Sequence, residues 1–368
     1  MSAEYIQRRL RSQGSAAPSP DAALARVASQ YGQALAELPA SSPGQARSYL
    51  RFLLEREGVR DATVRAVALP FTSAGTLRRA LNEALERLRG NELTHFGLGT
   101  AAALSAAAGV PDSRTGGSQL LALLLVRRRV ELGPLSPTVG RPLRLCGRLL
   151  RGRRPQVLVT YPSGSVAQRR PGLAHGRFCV ELPPVERGEH AVEVMVDGPF
   201  GPEVAALFPL RVGVSGPRQP VQKLYPPETT DEPDTARRLL ALVNGSRRAS
   251  GLRPLAWATH LERVARAHSR DMLDGGFFGH RSPRNGGLAA RLRAAQVEYE
   301  EASENLVLAT SARRAHDRLM SSPAHRRNIL DPELTHVGIG VATEGSRAPL
   351  LITQCFARLT PAPQPEAE

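Results

Sequence analysis

The spacing of apolar residues changes twice along the chain, and each change marks a boundary between segments. From residue 21 to about residue 129, apolar residues recur three and four positions apart, which is typical of helices. From about 134 to 214 they alternate with polar residues, as in strands of a half-buried sheet. From residue 234 onwards the helical spacing returns. The pattern therefore predicts three differently built parts.

The first part is predicted to contain three helices followed by a buried strand. The apolar faces of the helices consist of Leu24, Val27, Ala28, Tyr31 and Leu35, then Leu50, Leu53 and Leu54, then Leu77, Leu81, Leu85 and Leu88. Residues 120–126 are continuously apolar, which predicts a strand that is covered on both faces. We therefore expect an α+β domain in this part of the chain.

The middle part is predicted to be a β-sandwich. Strands are predicted at residues 143–149, 156–160, 177–182, 190–196 and 204–212, with glycine, proline and arginine between them. Six or seven short strands in roughly eighty residues are typical of the immunoglobulin-like architecture. Cys146 and Cys179 lie on two of these strands. Two interpretations remain open, a disulfide bridge between them or two small buried apolar side chains.

Five prolines make residues 215–233 an extended linker before the last part. A helix is predicted at 234–249. The chain is expected to end its last domain with two strands, at 335–342 and 350–357, joined as a hairpin.

Thr259 and Glu262 form the pattern of a capping box, which predicts the start of a helix at Thr259. His268 lies on the apolar face of that helix. We therefore expect a hydrogen-bonded core histidine at this position rather than a ligand.

Composition limits the classes of function. The chain has 368 residues, enough for two or three domains. Its formal net charge of +15 would fit a polyanionic partner. However, every basic residue except Lys223 is an arginine, the arginines occur in all segments, and aromatic residues do not alternate with them. We attribute the charge to compositional bias and expect no nucleic-acid partner, with polyanion binding as a fallback.

The compartment is left open by the sequence. No stretch approaches 18 apolar residues, so no transmembrane segment is predicted. The N-terminus has arginines without an apolar region behind them, so no secretory signal is visible in the chain as given. Either the protein is cytoplasmic, or it is exported and its start lies upstream.

Three polar residues in the last part carry candidate chemistry: His280, Glu304 and His325. Two imidazoles and a carboxylate suit zinc or a similar divalent cation and leave a position for water, which the metal would acidify. Glu304 could instead act as a general base oriented by His280. A cation or polar-ligand site, a structural hydrogen-bonded cluster and an active site all remain open. Ser322, followed by Pro323, is interpreted as a helix N-cap rather than a nucleophile.

Short motifs along the last part resemble one family. In chain order they are Gly-Leu-Arg-Pro-Leu at 251–255, His-Arg-Ser-Pro at 280–283, Glu-Asn at 304–305, Ser-Pro-Ala-His-Arg at 322–326, Val-Gly-Ile-Gly at 337–340 and Thr-Gln-Cys-Phe at 353–356. Their order and spacing resemble a bacterial CAP domain, also called an SCP domain, of the superfamily of cysteine-rich secretory proteins, antigen 5 and pathogenesis-related 1 proteins. The resemblance covers residues 235–360.

The resemblance implies an α-β-α sandwich with a cleft lined by histidine and glutamate, where several members bind a divalent cation. It makes His280 the first histidine of the cleft, Glu304 the first glutamate and His325 the second histidine. Plant and animal members carry a second glutamate where this chain has Ser-Ser-Pro at 321–323, and Leu319 stands where an aromatic residue is common. The resemblance also implies export from the cytoplasm.

An earlier stretch of the chain repeats parts of this pattern. Residues 24–28 resemble 261–265, and residues 92–99 resemble 333–340, with numbering offsets of 237 and 241. Such a nearly constant offset predicts a duplication. By that register Ala84 stands opposite His325 and about Ala66 opposite Glu304, and no histidine precedes His95 to match His280. The first copy is therefore predicted to lack the candidate chemistry, while His95 and His336, present in both copies, are assigned a role in the fold.

Together these observations predict an α+β multidomain protein. Its parts are a disordered N-terminus (1–20), a degenerate CAP-like α+β domain (21–132), an immunoglobulin-like β-sandwich (133–214), the linker (215–233), a CAP domain (234–360) and a disordered tail (361–368). We expect it to be secreted or at the cell envelope and to bind an unidentified small ligand, lipid or glycan, with a divalent cation such as zinc as candidate cofactor. The alternatives are a metal-assisted hydrolase that uses the same cleft and a non-catalytic adhesion or structural protein with a basic, polyanion-binding surface. The oligomeric state is left open.

Overall fold

The structure is a computed structural model. It describes residues 3–11, 18–37, 43–88, 92–102, 119–220, 228, 230–345 and 348–360. The chain forms two compact units that are interleaved along the sequence. Unit 1 comprises Met1–Arg151, His175–Glu189 and Ala205–Leu224, and unit 2 comprises Gly152–Ala174, His190–Val204 and Tyr225–Glu368. Both units contain helices and strands, which confirms the α+β class.

The bounds of the elements are as follows. The helices are α1 (Ala3–Arg11), α2 (Ala22–Glu37), α3 (Pro43–Arg56), α4 (Ala74–Glu86), α5 (Glu232–Ala249), α6 (Thr259–Gly275), α7 (Leu288–Ala294), α8 (Ala312–Ser321) and α9 (Pro323–Ile329). The strands are β1 (Ser19–Pro20), β2 (Val64–Phe71), β3 (His95–Ala102), β4 (Gln119–Val126), β5 (Val130–Leu132), β6 (Pro142–Leu149), β7 (Arg153–Thr160), β8 (Val166–Arg169), β9 (Arg177–Pro184), β10 (Gly188–Gly198), β11 (Gly201–Val212), β12 (Ala256–Trp257), β13 (Tyr299–Ala309), β14 (His336–Ala342) and β15 (Leu350–Leu359).

In unit 1, one sheet has the strand order β1-β3-β4-β2. The interior strand β4 faces two separate cores. Leu121 and Leu123 pack with α4 on one face, whereas Ala122 and Leu124 pack with α2 and α3 on the other. Helices cover both faces of this sheet, which explains the continuous apolar run and confirms the predicted buried strand.

A helix lies very close to the sheet in each unit because glycines stand at the contact points. In unit 1, a Cβ atom on Gly97 of β3 would lie 2.1 Å from the carbonyl carbon of Leu24 in α2. A Cβ atom on Gly99 would lie 2.2 Å from the backbone nitrogen of Ser29 in the same helix. In unit 2, a Cβ atom on Gly338 of β14 would lie 2.0 Å from the backbone nitrogen of Glu262 in α6. Any larger residue would push the helix off the strand.

The N-terminal residues 1–20 were expected to be disordered, and in their described part this expectation is wrong. They contain α1 and β1. Ile6 of α1 is fully buried beside α4, and the hydroxyl group of Tyr5 donates to Oδ1 of Asn82 at 3.2 Å. In the sequence, Tyr5, Ile6 and Leu10 are spaced as on one helical face, but a helix of nine residues is a short window in which to recognise that period.

The five strands predicted in the middle of the chain are all present, as β6, β7, β9, β10 and β11. In unit 1, β6 pairs antiparallel with β9, and Cys146 lies opposite Cys179 in that register. The two cysteines form a disulfide bridge, which resolves the alternative that the sequence left open. In unit 2, β7 pairs antiparallel with both β8 and β10. The division into three domains stays a prediction.

The C-terminal part of unit 2 contains a sheet with the strand order β12-β14-β15-β13. Helices α6 and α7 pack on one face, through residues such as Leu261 and Leu292. Helices α5 and α8 pack on the other, through residues such as Leu239 and Leu319. The predicted closing hairpin is confirmed, because β14 and β15 pair antiparallel.

The predicted capping box at Thr259 is wrong. Helix α6 has Ala258 as its N-cap residue and no side-chain cap. The backbone nitrogen of Ala258 donates to the carbonyl oxygen of Val337, so the chain leaves the sheet one residue earlier than the pattern suggested and Thr259 is already helical. The carboxylate of Glu262 instead forms an ion pair with Arg266 at 3.3 Å.

Helix α5 begins earlier than predicted, because Asp231 caps it by accepting a hydrogen bond from the backbone nitrogen of Asp234. The last two residues of the predicted linker therefore belong to the helix. Residues 221–227 and 229 of the linker, and the predicted tail at 361–368, lie outside the described residues. Among the helices that the structure describes, none is long and apolar enough to cross a membrane.

Candidate functional site

Two of the three predicted site residues are in direct contact. His280 lies in the loop between α6 and α7, and Glu304 lies on β13. The Nδ1 atom of His280 is 2.9 Å from Oε1 of Glu304. The glutamate side chain is 3% exposed and the histidine side chain 24% exposed, so the carboxylate is buried and the imidazole reaches the surface.

The loop that carries His280 is fixed by contacts on both sides. The Nε2 atom of His268 donates to the carbonyl oxygen of Gly279 at 3.0 Å, which confirms His268 as a hydrogen-bonded core histidine. The backbone nitrogen of Arg281 donates to the carbonyl oxygen of Phe200, in the turn between β10 and β11, at 2.8 Å. A Cβ atom on Gly279 would lie 2.4 Å from Cβ of Phe200, so this close approach requires glycine.

Arg291 completes the cluster, and sequence reasoning missed it. Its Nη1 atom lies 2.8 Å from Oε2 of Glu304. Its Nη2 atom donates to Oε1 of Glu304 and to the carbonyl oxygen of His280, both at 3.1 Å. The sequence did contain a signal, because Arg291 stands three residues after Leu288 and next to Leu292 on the apolar face of α7. An arginine on such a face needs a buried partner.

Burial and polar contacts act on the pKa of Glu304 in opposite directions. Burial alone would raise the pKa of its carboxyl group, but the hydrogen bonds from His280 and Arg291, together with the positive charge of Arg291, outweigh burial and lower that pKa. The neighbouring thiol of Cys355 has its pKa raised by burial and by the charge of Glu304. Glu304 is therefore ionised, and both of its oxygens already accept hydrogen bonds or ion pairs.

His325, the third predicted site residue, lies near His280 on α9. Burial first, and then the electrostatic effect of nearby His280, lower the pKa of His325 to about 3, so its imidazole is neutral at physiological pH. Ser322 is the N-cap of α9, as predicted, and its Oγ accepts from the backbone nitrogen of His325 at 3.4 Å. Asn305 donates to the carbonyl oxygen of His325 at 3.1 Å, which ties α9 to β13 next to Glu304.

A buried carboxylate from the middle strands also holds α9. Glu193 of β10 is fully buried. Its oxygens accept from Oγ of Ser322 at 2.7 Å and from the backbone nitrogen of Ala324 at 2.8 Å. Burial raises the pKa of Glu193, although both hydrogen bonds act in the opposite direction. Glu193 is thus covered by the helix that carries His325.

The three predicted residues do not form a recognisable metal cage. Among the described residues, no group of three or more His, Cys, Asp and Glu side chains is arranged so that it could hold a metal ion. The metal-binding set His280, Glu304 and His325 therefore stays a prediction, as does Glu304 as a general base.

Comparison with known proteins places this region in a family. Residues 240–356 match the model of the cysteine-rich secretory protein family, CAP. This part of the chain is a CAP domain. The chain is also 33% identical over 123 residues to the uncharacterized protein YkwD of Bacillus subtilis, and 33% identical over 115 residues to the uncharacterized membrane protein YlbC of the same organism.

The matched stretches cover only part of each protein. They span 32% and 31% of this chain, and 48% and 32% of the two Bacillus proteins, so the chain spans about half of those relatives or less. Among solved structures, an extracellular SCP-domain protein of Bacillus anthracis aligns with 61% of this chain and 88% of its own at 19% identity and a TM-score of 0.33. An outer surface protein of Borrelia burgdorferi aligns with 36% of this chain and 98% of its own at 14% identity and a TM-score of 0.33.

Proposed function

We propose that the protein acts outside the cytoplasm and binds a small ligand in the cleft of its CAP domain. The observation that carries this proposal is the cluster of His280, Glu304 and Arg291. A buried, ionised carboxylate holds the Nδ1 atom of an imidazole whose side chain is 24% exposed. A neutral second imidazole, His325, lies nearby. Polar groups held in a fixed orientation at the edge of an apolar core are characteristic of ligand sites.

The proposed location is supported by the disulfide bridge between Cys146 and Cys179. Disulfide bridges form and persist in oxidising compartments such as the cell exterior and the bacterial periplasm, and they are rare in the cytosol. The family to which the C-terminal region belongs is that of the cysteine-rich secretory proteins, which agrees with this location.

The divalent cation implied by the family does not fit the donor atoms of this cleft. A metal would need lone pairs from His280, Glu304 and His325 directed at one point. In the structure, Nδ1 of His280 is directed at Glu304 itself, and the other oxygen of Glu304 is paired with Arg291. We therefore derive no chemical step through a bound metal, and metal-assisted hydrolysis is not favoured over binding.

We further propose that unit 1 contains a degenerate copy of the CAP sheet. The proposal is supported by the strand orders β1-β3-β4-β2 and β12-β14-β15-β13, which correspond strand by strand. It is also supported by register: Ala66 pairs with Leu124 just as Glu304 pairs with Cys355. Ala66, which has no carboxylate, would then stand where Glu304 does, as the sequence repeat predicted. The first copy would serve as a scaffold.

The shared Thr-His pairs support the same proposal. In unit 1, Oγ1 of Thr94 lies 3.0 Å from Nδ1 of His95 and donates to a carbonyl oxygen of β4. In unit 2, Oγ1 of Thr335 lies 2.8 Å from Nδ1 of His336 and donates to a carbonyl oxygen of β15. The matching contacts favour a role in the fold for both histidines. For residues 133–214 we retain the proposal of an immunoglobulin-like sandwich, because its strands form antiparallel pairs.

Binding is tested by nuclear magnetic resonance of the histidine rings in the full chain. Octanoate, N-acetylglucosamine and zinc chloride serve as probes of the lipid, glycan and cation classes. At least one probe is expected to shift the ring signals of His280 and His325, and the shifts of His325 should disappear in a His280→Ala variant that is still folded. The matched control is His260→Ala, in the first turn of α6, which should respond like the wild type. The proposal fails if no probe moves either ring at millimolar concentration.

A further inference from the structure

The ion pair between Arg291 and Glu304 is almost completely removed from solvent. The side chain of Arg291 is 6% exposed and that of Glu304 is 3% exposed. Burial of either charge without its partner would be strongly unfavourable, so the pair is maintained only because each group compensates the other. The guanidinium is permanently charged under physiological conditions. The buried carboxylate therefore already has a positive partner, and that partner is part of the protein.

The position of the guanidinium matters for what else can enter the cleft. Arg291 contacts both oxygens of Glu304 and also the backbone oxygen of His280. A divalent cation bound to Glu304 would lie beside this fixed charge and would have to displace it. The attraction that normally draws such a cation to a carboxylate would be cancelled by repulsion at short distance.

The hydrogen bond between the two site residues fixes the histidine ring. An ionised carboxylate can only accept hydrogen bonds, so Nδ1 of His280 must carry the hydrogen in the contact with Glu304. In the neutral ring, Nε2 then has a free lone pair. His280 is the most exposed member of the cluster, so we assign the binding of an incoming ligand to this lone pair.

We propose that Arg291 takes the place of the divalent cation in this CAP domain, and that the cleft binds an uncharged, hydroxyl-bearing ligand through Nε2 of His280 without a metal. The inference rests on the proposed function, since it concerns the same cleft and names the class of its ligand. A hydroxyl group matches the acceptor on His280. The ligand needs no charge of its own, because Arg291 already balances the charge of the Glu304 carboxylate.

The test is zinc binding by the full chain after removal of bound metals. Wild type, Arg291→Met, and Arg291→Met combined with Glu304→Gln are titrated with zinc chloride, each with and without His280→Ala. The wild type is expected to show no zinc uptake that depends on His280. Arg291→Met frees the carboxylate and is expected to raise His280-dependent zinc affinity by roughly tenfold or more, and Glu304→Gln should abolish that gain.

Two results would overturn the inference. One is a wild-type protein that binds one zinc ion in a manner that depends on both His280 and Glu304. The other is a folded Arg291→Met variant with no gain in zinc affinity, because the guanidinium would then not be what keeps the cation out. If Arg291→Met does not fold, the wild-type titration alone is the test: zinc uptake that depends on His280 and Glu304 contradicts the inference, and its absence supports it.

The zinc titrations, read together with the magnetic resonance signals of the histidine rings, separate this inference from the proposal of a ligand site. A zinc-binding wild type whose His325 signals still respond to N-acetylglucosamine would contradict the role of Arg291 and leave the binding cleft intact. A wild type that neither binds zinc nor responds to any probe would contradict the binding cleft. A response to N-acetylglucosamine but not to octanoate, which carries a charge and no hydroxyl group, would support the proposed ligand class.

Discussion

Replacing Glu304 with glutamine is expected to lower the free energy of unfolding of unit 2 by about 3–5 kcal/mol, because the change leaves the charge of Arg291 buried without compensation. Glutamine has nearly the same shape as glutamate, so the loss would report on charge rather than on packing. The single tryptophan of the chain, Trp257, lies in unit 2. Its fluorescence during urea denaturation therefore follows this unit.

Variants of Arg291 show whether the loss of stability comes from the buried ion pair. Arg291→Met alone should also destabilise unit 2, since it leaves the carboxylate buried without its cation. The double variant Glu304→Gln with Arg291→Met should recover most of the loss, because a buried ion pair replaced by uncharged groups of similar volume costs little. If the two single losses simply add in the double variant, the two residues do not act as a buried pair.

Replacing Arg247 with methionine is expected to destabilise unit 2 by at least about 4 kcal/mol, because each buried acceptor left without a donor costs roughly 1–3 kcal/mol. Arg247 lies on α5 and is 1% exposed. Its guanidinium donates to four backbone carbonyl oxygens: Arg253 at 2.8 Å, Ile329 at 2.9 Å, Asp331 at 2.7 Å and Leu334 at 3.3 Å. Three of these acceptors lie between the end of α9 and the start of β14.

Two further variants separate these hydrogen bonds from charge and from general effects. Arg247→Lys keeps the charge but has no planar fork, so it should recover only part of the loss. Arg248→Ala changes the exposed neighbour and should alter the unfolding free energy by no more than about 0.5 kcal/mol. Urea denaturation followed by Trp257 fluorescence measures all three variants. Equal stability of Arg247→Met and Arg248→Ala would show that the four carbonyl contacts do not stabilise the unit.

Local patterns in the sequence predicted most of the elements. The apolar run of β4, the alternation in β6, β7, β9, β10 and β11 and the Ser-Pro start of α9 each depend on neighbouring residues, and all were found. The failures at Thr259 and at residues 1–20 have a common cause. Helix α6 does begin at Thr259 as predicted, but its cap, like the structure of residues 3–11, depends on a contact with a distant strand or helix.

The candidate site was predicted only in part, for a related reason. His280 and Glu304 were selected because their chemistry is unusual at the edge of apolar patches. Arg291 and Glu193 were missed because charged residues are normally exposed, and only the folded chain brings Glu193 to α9, 131 residues away from Ala324. Such partners are set by tertiary contacts, which the spacing of residues along one helix or strand does not encode.

The contact between His280 and Glu304 is tested most directly by the tautomer of His280 in the wild-type chain, measured by two-bond proton–nitrogen correlation of ¹⁵N-labelled histidine. We expect Nδ1 to carry the hydrogen and Nε2 to be unprotonated in the neutral ring, and we expect this preference to be lost in Glu304→Gln. A neutral ring with its hydrogen on Nε2, or a spectrum that is the same in both proteins, would contradict the His280–Glu304–Arg291 cluster as the organising feature of the cleft.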